Sequence, residues 1–374
     1  MNATTTATDA GSGTPPTGTS PTGQQHVLRR GSSRAVIVEV AAGLREFTID
    51  GVNLTQPYGE FDTPPFGCGI VLVPWPNRIE DGVWTLEGHP QQLDLTEPAR
   101  HNAIHGLLRF APYTVVERAE AGLTLAATVF PQHGYPFQLD TTVRYELVED
   151  GLSVTHTATN RSTHRAPVAF GTHPFLTIGD VDPAELVLTV HADTHVEVDD
   201  RLNPTAIVGV EGTDYDLRAG RRLGDLHLDD GWGGVKTVDG ASASLTAPDG
   251  REVRLLQDEN HSWIQVFTTR DFPTPDGHTL AVAIEPMTAP VNAFNSGLDV
   301  HWLDPGATWT VAWGIQYVRW APLPQSTSRR NARFAAGGST SPMSAPKPPC
   351  TGIAHPEARA RGAKSCWRSP KPRA

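Results

Sequence analysis

Asp150-Gly151-Leu152-Ser153-Val154-Thr155-His156-Thr157-Ala158-Thr159 is the stretch on which the fold turns. After a turn pair, apolar and polar side chains alternate with a period of two, the pattern of a strand with one face in a core. The same texture recurs in residues 35–40, 123–130, 186–190, 253–256 and 264–268, which are rich in β-branched residues. Asp249-Gly250 and Asp276-Gly277 supply further turn pairs. No window carries the 3.6-residue apolar stripe with caps that marks a helix. Short strands joined by tight turns predict an all-β chain, a single large antiparallel β-sandwich rather than βαβ units. No internal repeat of 20–50 residues points to a propeller or solenoid.

Length and composition set the outer bounds. A chain of 374 residues can bury a large core, and its 35 Gly and 32 Pro favour turns over helices. Residues 1–25 are Thr, Gly, Ser, Pro and Ala with little to bury, and are expected to be disordered. The Pro-rich residues 324–374 have the same character, which leaves residues 26–323 as one domain. From Ala321 onward ten Lys/Arg stand against one acid, Glu357; the net charge of −11 therefore divides into +9 for the tail and −20 for the remainder. So acidic a body disfavours nucleic acid or an anionic membrane as the main partner. No N-terminal stretch pairs a basic region with an apolar one, and the longest apolar run, near Ile70-Val71-Leu72-Val73, is far too short to span a bilayer. Cys68, Cys350 and Cys366 form no disulfide framework, so a cytoplasmic location is expected.

Chemistry-bearing residues cluster in four short islands: Pro74-Trp75-Pro76-Asn77-Arg78-Ile79, Asn102-Ala103-Ile104-His105-Gly106, Gly171-Thr172-His173-Pro174-Phe175 and Glu285-Pro286-Met287-Thr288. Each sets an Arg, His or Glu beside Pro or Gly, where backbone leaves a regular ladder. Pro174 keeps His173 out of helical geometry, and Glu285 follows apolar residues to the end of a strand. One His near neutrality and one partly desolvated carboxylate are the minimum set for moving protons on both sides of a sugar ring. His101 and His105 stand four apart, but Asn102 and Gly106 follow them in a stretch with no helical stripe, so a metal pair is not expected. There is no phosphate loop, Gly-x-Ser-x-Gly elbow or CxxC.

In order and spacing these islands resemble the aldose 1-epimerase (galactose mutarotase) family. Leu228-Asp229-Asp230-Gly231-Trp232 is similar to the family's segment with a binding aspartate three residues before an aromatic, which selects Asp229, although Asp230 offers the same chemistry. The resemblance spans residues 36–320 and implies a large antiparallel β-sandwich. It implies an isomerase that interconverts the α and β anomers of a free aldose without a cofactor or metal. Glu285 would be the general base and His173 the general acid; Arg78, His105 and Asp229 would hold the sugar, with Asn77 a weaker candidate. A monomer or weak homodimer is expected. Two other readings stand beside it: a hexose 6-phosphate epimerase, for which Arg109 is the clearest phosphate partner, and a sugar-binding module without catalysis. Trp75, Trp232 and Trp263 are candidates either for stacking on a sugar face or for the core.

Overall fold

The alternation at residues 152–159 becomes a strand, Gly151–Asn160, in the computed structural model, which describes residues 19–319. Leu152, Val154, His156 and Ala158 are buried, while the residues between them are only partly covered. His156 sits on the apolar face as a neutral acceptor: burial lowers its pKa to about 3, and the Trp313 indole N–H donates to its Nε2 at 2.9 Å. The other five stretches lie in strands Ser33–Val38, Gly122–Val129, Val187–Val190, Glu252–Gln257 and Trp263–Thr274. Among the described residues the one α-helix is the short Ala293–Ser296, and no helix is long and apolar enough to cross a membrane.

Two large antiparallel sheets carry the architecture. A nine-stranded sheet runs, in spatial order, through Thr114–Arg118, Gly122–Val129, Leu139–Val148, Gly151–Asn160, Thr308–Val318, Glu252–Gln257, Ala243–Thr246, Val187–Val190 and Arg221–Arg222. An eight-stranded sheet is centred on Asp229–Gly233, Trp263–Thr274 and Gly277–Met287, and reaches Gly171–Thr172 and Val71–Leu72 at one edge. Leu152, Val154 and Trp313 of the first sheet share one core with Trp232, Ile264 and Ile284 of the second. Burying each such side chain contributes roughly 1.5–3 kcal/mol.

The second sheet is covered on both faces, and this positions the site. Along Gly277–Met287, Val282 and Ile284 point into the shared core. Ala281 and Ala283 point the other way, into a small cluster with Tyr58, Cys68, Phe175 and Phe272, and Met287 packs with Val196, Trp263 and Val291. Strand side chains alternate, so Glu285 shares this second face. It lies between two apolar clusters and is only 2% exposed.

Two glycines let loops close over that face. Gly106 has φ +71, and a Cβ there would lie 2.1 Å from the Val73 carbonyl oxygen. A Cβ on Gly171 would lie 2.7 Å from Cβ of Pro76. Their role is close approach of backbone, which no larger residue permits.

The start of the body corrects the expected boundary at residue 26. Thr22 is only 1% exposed, its carbonyl accepts from the Val40 amide at 3.0 Å, and the Gln24 carbonyl accepts from Glu39 at 3.0 Å. Gln25 opens strand Gln25–Arg30, opposite Val38. Backbone pairing needs no apolar side chains, so a composition argument misses it. Residues 1–18 and 324–374 of the expected tails lie outside the described residues.

A chain beginning at residue 26 should therefore melt below one beginning at residue 19. Each lost amide–carbonyl bond is worth about 0.5–1.5 kcal/mol, and about 2–4 °C follows from each kcal/mol in a domain of this size. Thermal unfolding by circular dichroism checks this; equal melting temperatures would show that residues 19–25 contribute nothing.

Candidate active site

Cross-strand register selects which side chains enter the site. Residues directly opposite each other in an antiparallel pair project from the same face. Gln265 is opposite Glu285, Phe267 is opposite Ala283, and Asp229 is opposite Phe267. Asp229 thus shares the face of Glu285, and its Oδ1 accepts from Gln265 Nε2 at 2.8 Å. Asp230 is opposite Val266, a core residue, and turns away to bind His195 Nε2 at 2.8 Å. The pleat separates two aspartates that are chemically alike in sequence.

His173 enters from the edge of the same sheet. Its amide donates to the Ile70 carbonyl at 3.0 Å and its carbonyl accepts from Gly69 at 2.8 Å. Phe170 and Thr288 exchange two bonds, the Phe170 amide to Thr288 Oγ1 and the Thr288 amide to the Phe170 carbonyl, each at 2.9 Å. This latch ties the segment before His173 to the segment after Glu285. The result is His173 Nε2 at 3.3 Å from Glu285 Oε1, with the His105 ring edge-on to His173 at 5.5 Å between centroids. His105 is held in the left-handed region, φ +64, and its amide donates to the Asn77 carbonyl at 2.9 Å.

Arg78 closes the remaining side. Its Nε and Nη2 donate to the two oxygens of Glu97 at 2.8 and 3.1 Å, the bidentate geometry that a guanidinium provides. Nη1 donates to Asn77 Oδ1 at 3.3 Å, and Nη2 lies 3.6 Å from Asp229 Oδ2. Asn292 braces the strand from behind, its amide donating to the Arg78 carbonyl at 2.7 Å and its Oδ1 accepting from the Glu80 amide at 3.2 Å. Burial alone would raise the Glu97 pKa, but the Arg78 hydrogen bonds and charge outweigh it and hold the carboxyl below its usual range.

These residues line a pocket of about 370 Å³. Burial, reinforced by the Asp229 charge and opposed by Arg78, pushes the Glu285 carboxyl well above the ordinary range. Burial pushes His173 the other way, to about 4, partly offset by a backbone hydrogen bond and assisted by Arg78. His105 is driven well below its normal value, first by burial and then by the His173, Arg78 and Arg109 charges. Both shifts favour the uncharged forms, a neutral carboxyl on Glu285 and a neutral imidazole on His173. Glu285 Oε2 and His105 Nδ1 are buried with no hydrogen-bond partner in the protein.

All six residues singled out in the sequence, Asn77, Arg78, His105, His173, Asp229 and Glu285, line this one pocket. Gln265, Glu97 and Phe267 line it too and were not foreseen. Gln265 carries a faint signal, an amide inside an otherwise apolar run, but only the ladder shows which face it occupies. The tryptophans do not reach the pocket: Trp75 and Trp232 belong to the shared core, and Trp263 donates to Asp299 at 2.7 Å. Arg109 lines a separate cavity beyond Gly106, with its guanidinium 4.5 Å from the Phe110 ring centre. His101 is exposed and pairs with Asp81 at 3.0 Å, apart from buried His105.

Comparison with known proteins identifies the family and the fold. The family profile described as aldose 1-epimerase matches residues 24–316. The uncharacterized protein YihR of Escherichia coli strain K12 is 34% identical over 287 residues, 76% of this chain and 90% of that protein. Human galactose mutarotase is 30% identical over 201 residues, but the match spans only 51% of this chain and 54% of the human protein. The solved structure of a GalM/aldose epimerase homologue from C. elegans superposes with a TM-score of 0.70 at 21% identity, covering 80% of this chain and all of that one. At that identity the likeness speaks for the fold, a galactose mutarotase-like arrangement of antiparallel sheets.

The opposed facing of the two aspartates can be tested by titration. Asp229→Asn should bring the Glu285 carboxyl down toward its ordinary range, because one of the charges raising it is gone. Asp230→Asn should leave it in place. Carbon-detected NMR of labelled glutamate carboxyls distinguishes the two; an equal response to both substitutions would contradict the assigned faces.

Proposed function

The chain belongs to the aldose 1-epimerase family, and on that premise we propose that it interconverts the α and β anomers of a free aldohexose by acid–base ring opening and closure. The observation that carries this reading is a buried His–Glu pair, 3.3 Å apart, lining a pocket with Arg78, His105 and Asp229. Ring opening needs one proton removed from the anomeric hydroxyl and one delivered to the ring oxygen, and such a pair performs both with no net exchange with solvent.

A hydroxyl donating to Glu285 stabilises its carboxylate, so sugar binding moves the shared proton to His173 Nε2. Glu285 then takes the anomeric hydroxyl proton as His173 protonates the ring oxygen, and the C1–O5 bond breaks to give the open aldehyde. Rotation about C1–C2 presents the other carbonyl face. The ring hydroxyl attacks C1 and returns its proton to His173, while Glu285 gives its proton to the carbonyl oxygen. Arg78, His105, Asp229 and Gln265 orient hydroxyl groups around this cycle, with Asn77 supporting Arg78.

An unphosphorylated sugar suits the pocket better than a 6-phosphate. A dianion calls for several free cationic groups. Here Arg78 and Arg100 both pair with Glu97, and Arg109 lines another cavity. The name of the human relative makes galactose, with glucose, the first sugar to test.

kcat/KM should fall on the acid side only as pH drops through about 4, where the neutral His173 imidazole becomes protonated. On the alkaline side it should fall when Glu285 loses its raised proton. Polarimetry on freshly dissolved α-galactose and α-glucose, with buffer catalysis subtracted, gives this profile. An acid limb centred near 6.5, the value of an unperturbed imidazole, would contradict it.

Replacing either member should cost about 10²–10⁴-fold in kcat. Glu285→Gln keeps the shape without the base, and His173→Asn keeps polarity without a titrating ring. The double variant should fall well short of the product of the two losses, because both act in one cycle. Turnover of Glu285→Gln within about threefold of the parent, too small for a general-base term, would remove Glu285 from the mechanism.

A further inference from the structure

Glu97 takes hydrogen bonds from both guanidiniums that line the pocket, those of Arg78 and Arg100. Its Oε2 accepts from Arg78 Nε, and its Oε1 from both Arg78 Nη2 and Arg100 Nη1, the last at 3.0 Å. Among the described residues Arg100 has no other acid partner. The second carboxylate near Arg78, Asp229, stands off at 3.6 Å and accepts from Gln265. Backbone bonds fix Glu97 in this position. Its amide donates to the Asn102 carbonyl at 3.0 Å, and its carbonyl accepts from the amides of Arg100 and Asn102 at 3.2 and 3.3 Å. Asn102 is itself buried, its side-chain amide donating to the Arg201 carbonyl at 3.0 Å. The Glu97 charge also reaches Arg109 beyond Gly106, where it opposes the lowering of pKa that burial imposes.

The charge balance of the pocket turns on this one residue. Two guanidiniums face two carboxylates, Glu97 and Asp229, while burial favours the uncharged forms of Glu285, His105 and His173. Glu97 is held below the usual carboxyl range, so its charge is present throughout neutral pH. Without it, Arg78 and Arg100 would stand against Asp229 alone. A carboxylate or phosphate on a sugar would then meet unengaged planar donors of the kind that bind such groups in a fork. With Glu97 in place those donors are occupied, and an incoming anion meets a fixed like charge. We propose that Glu97 is a specificity-determining residue, which makes the pocket discriminate against sugars that carry an anionic group and leaves its arginines to neutral hydroxyls. The proposal rests on the epimerase reading above.

The test uses the full chain and follows anomer exchange at equilibrium by NMR saturation transfer between anomeric protons. Galactose is compared with galacturonate, and glucose with glucose 6-phosphate. The quantity read is kcat/KM for the anionic sugar divided by that for its neutral counterpart. Where the anion is not turned over, its inhibition constant against galactose takes the place of kcat/KM. Glu97→Gln should raise the preference for the anion at least about tenfold, a modest part of the penalty for opposed like charges. The neutral sugar should be turned over more slowly, because Arg78 loses its bidentate partner. Glu97→Asp keeps the charge and should return the preference to within about threefold of the parent, small on the scale of a full charge. Arg100→Gln removes a part-exposed guanidinium and should shift the preference the other way by about threefold, the scale of an exposed charge. If Glu97→Gln does not fold, as judged by circular dichroism, Arg100→Gln decides. If neutral sugars turn over but these substitutions leave the preference unmoved, or Glu97→Gln slows both sugars equally, the inference is overturned and the epimerase reading stands. Acceleration of no sugar at all would overturn the epimerase reading and this inference with it.

Discussion

Two ionisable groups, His173 and Glu285, lie buried 3.3 Å apart at the base of one pocket, and the surrounding structure answers the demands of that contact. Burial alone disfavours the charged form of each, so the carboxyl rises and the imidazole falls. The two penalties favour one state of the pair, a single proton and no net charge. That state is also the useful one, because anomer exchange needs a proton removed at one oxygen and supplied at another. Exposing the two side chains would return both groups toward ordinary titration.

Keeping the pair buried while leaving room for a polyol requires walls that hold their positions. The Phe170–Thr288 latch fixes His173 against the end of the Glu285 strand. Arg78, pinned by Glu97, Asn77 and Asp229, joins the loop side to the sheet side. Arg201 extends the bracing outward, donating to Asp81 at 2.6 Å and to the carbonyls of Arg100 and His101 at 2.9 and 3.1 Å. The glycines at 106 and 171 act where backbone must approach backbone or a proline ring. Breaking a buried carboxylate–guanidinium pair leaves the remaining charge unpaired, at a cost of about 3–5 kcal/mol. The network therefore serves both the fold and the pocket.

The acidic surroundings also act on the pair from a distance. Asp229 raises Glu285 while Arg78 lowers it, and both are tied to neighbours that limit their movement. A positive charge here acts on both members, favouring the Glu285 carboxylate and disfavouring the His173 imidazolium. Pairing Arg78 with Glu97 places a carboxylate against that charge while the guanidinium still presents planar hydrogen-bond donors.

Much of this was legible in the sequence because it is local. Period-two alternation from Leu152 to Ala158 names a strand and its buried face, and turn pairs such as Asp150-Gly151 name its ends. The four islands, with Asn77, Arg78, His105, His173 and Glu285, stand out because Pro and Gly beside reactive groups are rare within ladders. Other features belong to contacts between distant segments. Asp229 and Asp230 are equivalent until pairing with Trp263–Thr274 sets one toward the pocket and the other toward His195. Gln265 and Glu97 join the site through register and packing, and Arg109 is set apart by the turn at Gly106. Residues 19–25 join the body through backbone bonds that composition does not reveal. The sequence by itself determined the strands, their buried faces and the stock of reactive groups, because these follow from neighbours along the chain. Which groups meet, and how burial shifts their titration, was decided only by the tertiary structure, because cross-strand register and burial arise when distant segments close together.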